Sequence, residues 1–502
     1  MSGEKLQRER MVRGIAKGAG VVLFGTIFSR ILGYVIRAVI ARVYGQDIYG
    51  YVNTSLALFT GLTALGLFGI PYSLPRQISF FTSKEEWQKV GSNIGVAYLF
   101  TGVVGIVFAL ILTLVSPLLA SNVFHDPDLL PFLIYFAWVI PFFLVLRVSC
   151  TVFQGLKHMT LYVLFREVIR QAFILAGVIL LITMGIASRH LGSAYTAAYA
   201  LTTIFSLYFI WQFTRKYPLQ LSVSTATFTE LFQFSWPLMF FSIIMLLLHK
   251  VDTIMVGYFL NQRLVGIYNA GVPIGELLST VYLSFIPIMI PVMTDYYAQE
   301  DYTSFREIFH ISTKWIYVFT LPLYILILLY PGFFITVFFG SEYLEAINIL
   351  RIISTGVFFS SIVGPTGNIL VVIGKPRIVL FDAVTAFVVN ISLNILLIPR
   401  IGLIGAAVAT AVSIIVHNIL TIVQIFYYTR MTAFRTAYLK ITAAGVIPGT
   451  IALLYFPSAE LITVALVSLG FLLSFYTLSY LFGITGEEDR VVFREIKKRL
   501  GS

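Results

Sequence analysis

Charged side chains inside long apolar stretches are the residues of this sequence that could do chemistry. Arg30 and Arg37 lie seven residues apart, two turns of a helix and therefore on one face, and Lys250 lies in a later stretch. The embedded acids are Asp252 and Glu276. A charge within a membrane span is costly and usually faces the bundle interior. Because a guanidinium can grip a phosphate with two parallel hydrogen bonds, the cationic excess favours binding of an anion.

Two further arginines lie nearer to the ends of their stretches. Arg351 is close to the outer end of the tenth predicted helix, and we include it among the substrate contacts. Arg147 is close to the inner end of the fourth and is expected to snorkel to the interface. Lys250 and Asp252 point to different faces, so Lys250 is expected to meet the ligand. Asp252 and Glu276 are candidates for ion coupling.

The motifs of catalysis and metal binding are missing from the sequence. The six histidines are scattered without metal-ligand spacing, and no phosphate-binding loop of the GxxxxGK[ST] type occurs. No nucleophile and base are arranged for catalysis. We therefore predict no catalytic residue, no metal, no cofactor and no enzymatic activity.

The composition predicts an all-α, polytopic membrane protein. Of 502 residues, 58% are hydrophobic and only 11% charged, with a mean hydropathy of +0.91. A soluble fold has no interior large enough for that apolar surface. Spans of about 20 apolar residues are expected for membrane helices. Fourteen stretches qualify: 15–41, 46–70, 90–118, 130–150, 161–186, 192–214, 230–257, 264–292, 312–335, 345–370, 377–398, 402–428, 438–456 and 460–483.

The distribution of lysine and arginine predicts the orientation. With the N-terminus inside, most of the 34 basic residues fall in cytoplasmic connections, Arg166 and Arg170 among them. Those in the outer connections are Arg42, Arg189, Arg263 and Arg400. The positive-inside rule then places both termini in the cytoplasm of a multi-pass protein of the cell membrane. The net charge of +11 is explained by this pattern, so no nucleic-acid partner is predicted.

The sequence also contains an internal repeat. At an offset of 216 positions a glutamine, a glycine and an asparagine coincide: Gln46 with Gln262, Gly50 with Gly266 and Asn53 with Asn269. Prolines and glycines further along stay nearly in step. A repeat of six helices enters the membrane twice from the same side, and parallel repeats of this kind place a substrate site between the halves. We therefore add Asn53 and Asn269 to the predicted substrate contacts.

The repeat predicts the domain organisation. A six-helix lobe at 1–214 is followed by a cytoplasmic linker at 215–229 and a second six-helix lobe at 230–428. Helices thirteen and fourteen at 429–483 and a cytoplasmic tail at 484–502 lie outside the repeat.

Two segments carry a resemblance to a known family. The first is 24–37, FGTIFSRILGYVIR, with Tyr44-Gly45 after it, and the second is 394–410, NILLIPRIGLIGAAVAT. They resemble the multidrug/oligosaccharidyl-lipid/polysaccharide exporter superfamily, in its polysaccharide and lipid II flippase branches. The resemblance implies two six-helix bundles in a V, plus two further helices. It also implies that helix-one arginines line the cavity. Arg30 matches the family position, whereas Arg37 falls one residue later.

The resemblance implies a flippase that moves lipid-linked oligosaccharide or polysaccharide precursors to the outer leaflet through a cationic cleft. Its partners would be a polyprenyl- or dolichyl-(pyro)phosphate-linked glycan, membrane lipid and glycosyltransferases of the same pathway. A cation-coupled drug or metabolite antiporter of the same superfamily is the alternative. It would need acidic residues in the first lobe, whereas a membrane glycosyltransferase would need catalytic carboxylates and a non-membrane domain.

Overall fold

The computed structural model describes residues 2–217, 219–432, 437–456 and 461–484. Side chains are described in these ranges except at 2–24, 234, 237–238, 240–249, 288, 437 and 461. Within this part of the chain the structure is helical and contains no strand, as the composition predicts. The connection at 457–460 and the predicted tail from 485 onward lie outside the described residues.

The chain divides into two compact units, Met1–Gly266 and Ile267–Gly501. The predicted domain boundaries around a linker at 215–229 stay a prediction. By packing, the helix that follows the linker belongs with the first unit. The helices of that unit are α1 (Ser2–Gly66), α2 (Ile70–Ser83), α3 (Trp87–Leu118), α4 (Leu130–Gly155), α5 (Met159–Val163), α6 (Arg170–Thr183), α7 (Leu191–Lys216) and α8 (Thr225–Phe259).

Local chemistry accounts for the breaks in the first unit. Gly45 interrupts α1 with φ 80° and ψ −176°, between the first two predicted spans. Gly69, also at positive φ, precedes α2, which bends by 42° from α1. Glycine is suited to such angles because it has no Cβ to clash with the carbonyl. A π-helical segment, Leu164–Ile169, joins α5 to α6.

Helix α4 buries most of its side chains and packs against α1, α2, α3 and α7. Close approach depends on small residues of its neighbours. A Cβ on Gly105 of α3 would lie 2.7 Å from Pro141, and one on Gly192 of α7 would lie 2.5 Å from Tyr135. Helix α8 packs against α1, α2 and α3.

The second unit also consists of long helices joined by short connections. Its helices are α9 (Gln262–Glu276, which begins within the first unit), α10 (Ser279–Ala298), α11 (Tyr302–Leu329), α12 (Pro331–Phe338), α13 (Ile347–Val363), α14 (Thr366–Val372), α15 (Pro376–Ile401), α16 (Leu403–Thr429), α17 (Ala437–Tyr455) and α18 (Leu461–Leu481). The last two pack on α11, where Tyr317 and Leu321 meet Ile441 and Phe475 in one apolar cluster. This contact attaches α17 and α18, which are predicted to lie outside the repeat, to the rest of the second unit.

The length and hydropathy of the helices fit a membrane protein. Among the described residues, nine helices could cross a bilayer, or up to eleven if each of two bent pairs forms one span. Described helix lies in each of the fourteen predicted stretches. Several stretches are divided into shorter helices, such as 161–186 by the π-helical segment. The fourteen-span count, the repeat and the V-shaped arrangement stay predictions.

Candidate anion site in the first unit

The π-helical segment between α5 and α6 carries charged residues into the first unit. Arg166 and Glu167 belong to it, and Arg170 begins α6 one turn later. Single π-helical turns inside membrane helices are rare and occur often at functional sites. The positive-inside analysis counted both arginines with the cytoplasmic connection. In the structure both lie on helical turns within the predicted stretch 161–186 and line a pocket, and the orientation stays a prediction.

Glu167 is the acid of this group and is held on two sides. Ser29 Oγ of α1 donates to its Oε2 over 3.3 Å, and Arg166 Nε lies 3.1 Å from its Oε1. Arg166 also donates to the Tyr162 hydroxyl, and its guanidinium lies 5.3 Å from the centre of that ring. The carboxylate therefore fixes one face of Arg166, whose side chain is still 40% exposed.

Arg170 is oriented by a tyrosine of α7. Its Nη1 donates to the Tyr199 hydroxyl over 3.2 Å, and its guanidinium carbon lies 5.6 Å from the centre of the ring. Its Nε donates to the Arg166 carbonyl over 3.4 Å. A tyrosine hydroxyl directs the guanidinium without neutralising it, so the positive charge stays available to a ligand.

Arg147, which the sequence analysis expects to snorkel, is the third arginine of this group, and its snorkelling stays a prediction. It lies on α4, lines the same pocket and has a buried Nε without a hydrogen-bond partner in the described structure. A buried donor without a partner costs about 1–3 kcal/mol, a cost that a ligand acceptor would remove.

These groups surround a cavity of about 350 Å³, which we call the arginine pocket. Its charged lining is Arg147, Arg166, Arg170 and Glu167, an excess of two positive charges. Its remaining lining is Leu56, Phe59, Thr60, Thr63, Leu67, Phe143, Leu146, Cys150 and Tyr199. Apolar walls with a few convergent charges are typical of a ligand site.

The predicted contacts on α1 lie in the same unit. Arg30 and Arg37 are half-buried, and the Arg37 guanidinium carbon lies 5.5 Å from the centre of the Tyr34 ring. Arg37 is also close enough to Tyr49 and Tyr195 to interact with them electrostatically. Asn53 is buried and donates to the Tyr49 carbonyl over 2.7 Å. Their roles as substrate contacts stay predictions.

The remaining predicted site residues are divided between the units. Lys250 and the buried Asp252 lie on α8 of the first unit. In the second unit Asn269 is buried, whereas Glu276 and Arg351 are exposed, on α9 and α13. None of the described residues lining the arginine pocket was among the predicted contacts.

The described side chains contain no group of three or more histidine, cysteine, aspartate or glutamate residues that could hold a metal ion. In the arginine pocket, three guanidinium groups face a single carboxylate. Such a set suits an anion, since it repels cations.

Comparison with known proteins identifies the family. A model described as "polysaccharide biosynthesis protein" matches residues 15–297, more than half of the chain. The chain belongs to the polysaccharide biosynthesis protein family. A second model, MatE, matches residues 237–396. The predicted resemblance to the multidrug/oligosaccharidyl-lipid/polysaccharide exporter superfamily is confirmed, and its members among the matches are transporters.

Similar proteins include named flippases. The chain is 25% identical to the probable low-salt glycan biosynthesis flippase Agl15 of Haloferax volcanii, over 34% of this chain and 36% of that one. It is 22% identical to the lipid II flippase MurJ of Bacillus subtilis, over 80% of each. The chain spans only about a third of the length of the first curated relatives that it matches.

The fold is that of solved transporters of this superfamily. A structure of lipid II flippase MurJ in an inward closed conformation matches 92% of this chain and 98% of its own, with a TM-score of 0.75 at 16% identity. An inward-facing MATE family multidrug transporter matches 82% of this chain with a TM-score of 0.68. At these identities the likeness establishes the fold.

Proposed function

We propose that this protein is a flippase that moves a lipid-linked oligosaccharide or polysaccharide precursor from the inner to the outer leaflet by alternating access. The observation that carries the proposal is the arginine pocket, found in a chain of the polysaccharide biosynthesis protein family. The relatives Agl15 and MurJ are named as flippases of glycan biosynthesis and of lipid II, which supports the same class of cargo.

In this proposal the pocket binds the phosphate groups that link glycan to lipid. Its excess of two positive charges matches a pyrophosphate link, which carries about two negative charges. The planar guanidinium groups of Arg147 and Arg170 can each form paired hydrogen bonds with phosphate oxygens. The buried Nε of Arg147 would gain an acceptor. Arg30, Arg37, Asn53 and Lys250 in the first unit, with Asn269 and Arg351 in the second, are the further proposed contacts.

The charge on the cargo supplies a driving force for outward movement. With the inside of the membrane negative, moving an anion outward gains about 2.3 kcal/mol per charge per 100 mV. An ion gradient acting through Asp252 or Glu276 is the second proposed source. Glycosyltransferases that build the cargo on the cytoplasmic leaflet are the expected partners in the cell membrane, and both termini are proposed to face the cytoplasm.

The test is reconstitution with a fluorescent polyprenyl-pyrophosphate-linked glycan in vesicles under an imposed potential. We expect flipping that increases with the potential and is lost in Arg147→Gln and Arg170→Gln. Arg215→Gln is the matched control, because Arg215 lies on the last turn of α7, against Trp211 and outside the pocket. Flipping by both pocket variants at the control rate would refute the assignment of the pocket.

The MatE match supports a second candidate, a cation-coupled antiporter of a drug or metabolite. This function predicts transport of organic cations against a proton or sodium gradient, with no effect of lipid-linked glycan. The net positive charge of the pocket disfavours such cargo. Uptake of a fluorescent organic cation into the same vesicles separates the two functions.

A further inference from the structure

We propose that a second cavity, at one end of the second unit, binds the phosphate group of an anionic membrane lipid. This cavity has a volume of about 440 Å³ and shares no lining residue with the arginine pocket. It lies where α10 and α16 end, α11 begins and α14 turns into α15. The proposal does not depend on the proposed transport function.

Three cations line this cavity, and the described part of the chain supplies no carboxylate that pairs with any of them. They are Arg306, Lys375 and Arg430, and no carboxylate is among the described lining residues. None of the three forms an ion pair with a described carboxylate. Asp301 lies near Arg306 in sequence, but it caps α11 and accepts from the Ser304 amide over 3.0 Å. The hydrogen bonds from Ser304 hold the pKa of Asp301 below its ordinary value.

The helix ends explain one of these cations but not the other two. Arg430 follows the C-terminus of α16, where a positive charge complements the helix dipole, whereas Lys375 is the N-cap residue of α15, where the dipole disfavours a cation. Arg306 lies in the second turn of α11, toward its N-terminus, so no helix C-terminus offsets its charge. Three like charges around one cavity repel each other, and a bound anion removes that repulsion.

The shape of the cavity favours an amphiphile over a free ion. Phe305 and Met431, both buried, line the cavity together with the cations and belong to one apolar cluster. Tyr297, Tyr302 and Tyr428 also line the cavity. Lys375 Nζ lies 5.1 Å from the centre of the Tyr428 ring. Tyrosine and lysine together are typical of the membrane interface, where the aromatic body meets lipid and the charge meets the headgroup.

The predicted orientation places this end of the second unit at the cytoplasmic surface. Anionic phospholipids there give that leaflet a negative surface potential, and basic pockets between membrane helices bind their headgroups. The phosphate of such a lipid would lie among the three cations, and its acyl chains would pack against the aromatic side chains. An anionic lipid therefore matches both the charged and the apolar lining of the cavity.

The test measures lipid binding to the purified full chain in detergent. The probes are phosphatidylglycerol, phosphatidylcholine of the same acyl chains, and inorganic phosphate. The pocket variant combines Arg306→Gln, Lys375→Gln and Arg430→Gln. Arg377→Gln is the matched control, because Arg377 lies on the same turn as Lys375 and outside the cavity. We expect phosphatidylglycerol to raise the unfolding temperature of the wild type and of the control more than phosphatidylcholine does.

The triple variant should lose this difference between the two lipids. Should it fail to fold, Lys375→Gln alone is compared with Arg377→Gln by native mass spectrometry, where the former should retain at least about threefold less phosphatidylglycerol. Equal binding by the variant and the control would overturn the proposal. If inorganic phosphate alone raised the unfolding temperature as much as phosphatidylglycerol does, and the triple variant lost that effect, the site would bind a free ion. This result would overturn the proposal of a lipid ligand.

Discussion

Gly50 and Gly266 pack against each other in the first unit, where α1 crosses the start of α9. A Cβ on Gly50 would lie 1.8 Å from the carbonyl oxygen of Gln262, and one on Gly266 would lie 2.1 Å from that of Gln46. The two glycines, and likewise the two glutamines, are equivalent in the predicted repeat. The contact is therefore reciprocal, with each glycine receiving the backbone of the other segment. Side chains add to it, since Thr54 donates to Gln262 Oε1 and Arg263 donates to Gln46 Oε1, both over 2.6 Å.

Replacing either glycine by alanine should separate the two helices. We expect Gly50→Ala and Gly266→Ala each to cost about 1–3 kcal/mol, as overpacking of a close contact does. The measurement is thermal unfolding of the purified protein, followed by gel filtration. Gly61→Ala is the control, because Gly61 lies on the same α1 with nothing within 4 Å of its Cβ position. Equal stability of all three variants would show that the backbones do not pack this closely.

The hydrogen bond between Arg170 and Tyr199 predicts a graded effect on transport. Arg170→Lys keeps the charge but loses the planar fork, so we expect flipping to fall about tenfold or more while the amount of folded protein stays constant. Tyr199→Phe should lower it less, since the guanidinium stays and only its orientation is relaxed. Initial rates in proteoliposomes measure both. A normal rate for Arg170→Lys would argue for a role of charge alone.

Arg30 is predicted to contact substrate rather than to hold the fold. Arg30→Ala should abolish flipping, and Arg30→Lys should restore little of it, with membrane insertion unchanged for both. The readouts are transport and the amount of monodisperse protein. Loss of folded protein in Arg30→Ala would instead assign Arg30 a structural role.

The topology can be tested by cysteine labelling. Cys150 is the one cysteine of the chain and is buried, so a Cys150→Ala background removes it at the cost of a small cavity at most. Ser121→Cys should react with a membrane-impermeant reagent from outside, and Ser83→Cys only after permeabilisation. Both serines are exposed. Reaction of Ser83→Cys in intact cells would contradict the predicted orientation and support the opposite one.

The sequence predicted where the helices lie, because hydropathy is a local property and each membrane span must be apolar enough by itself to lie in lipid. The short gap between the first two predicted spans contains Gly45, where α1 breaks. Family membership was also predictable from the segments 24–37 and 394–410. These features depend on neighbouring residues only, so one sequence is sufficient to read them.

The arginine pocket was not predicted, and its residues show why. Arg166 and Arg170 lie close to an end that is predicted to be cytoplasmic, and counting charges by loop assigns such residues to the connection. Their direction depends on the π-helical segment, for which we know no reliable sequence signal. The spacing of four between them, with Glu167 beside the first, is the one available hint. Arg147 was expected to snorkel because it lies near a helix end, and the cavity that it lines forms only when α1, α4, α6 and α7 pack.

The π-helical segment also makes the pocket sensitive to chain length. A π-helical turn holds one residue more than an α-helical turn, so removing one residue from Leu164–Ile169 would allow regular α-helix to continue through it. Each residue of an α-helix turns the chain by about 100°. The deletion would therefore rotate α5, which precedes the segment, relative to α6, which follows it. Tyr162 on α5 and Arg170 on α6 could then no longer both keep their present contacts. In this protein the addition or loss of one residue is a larger change to the pocket than most substitutions.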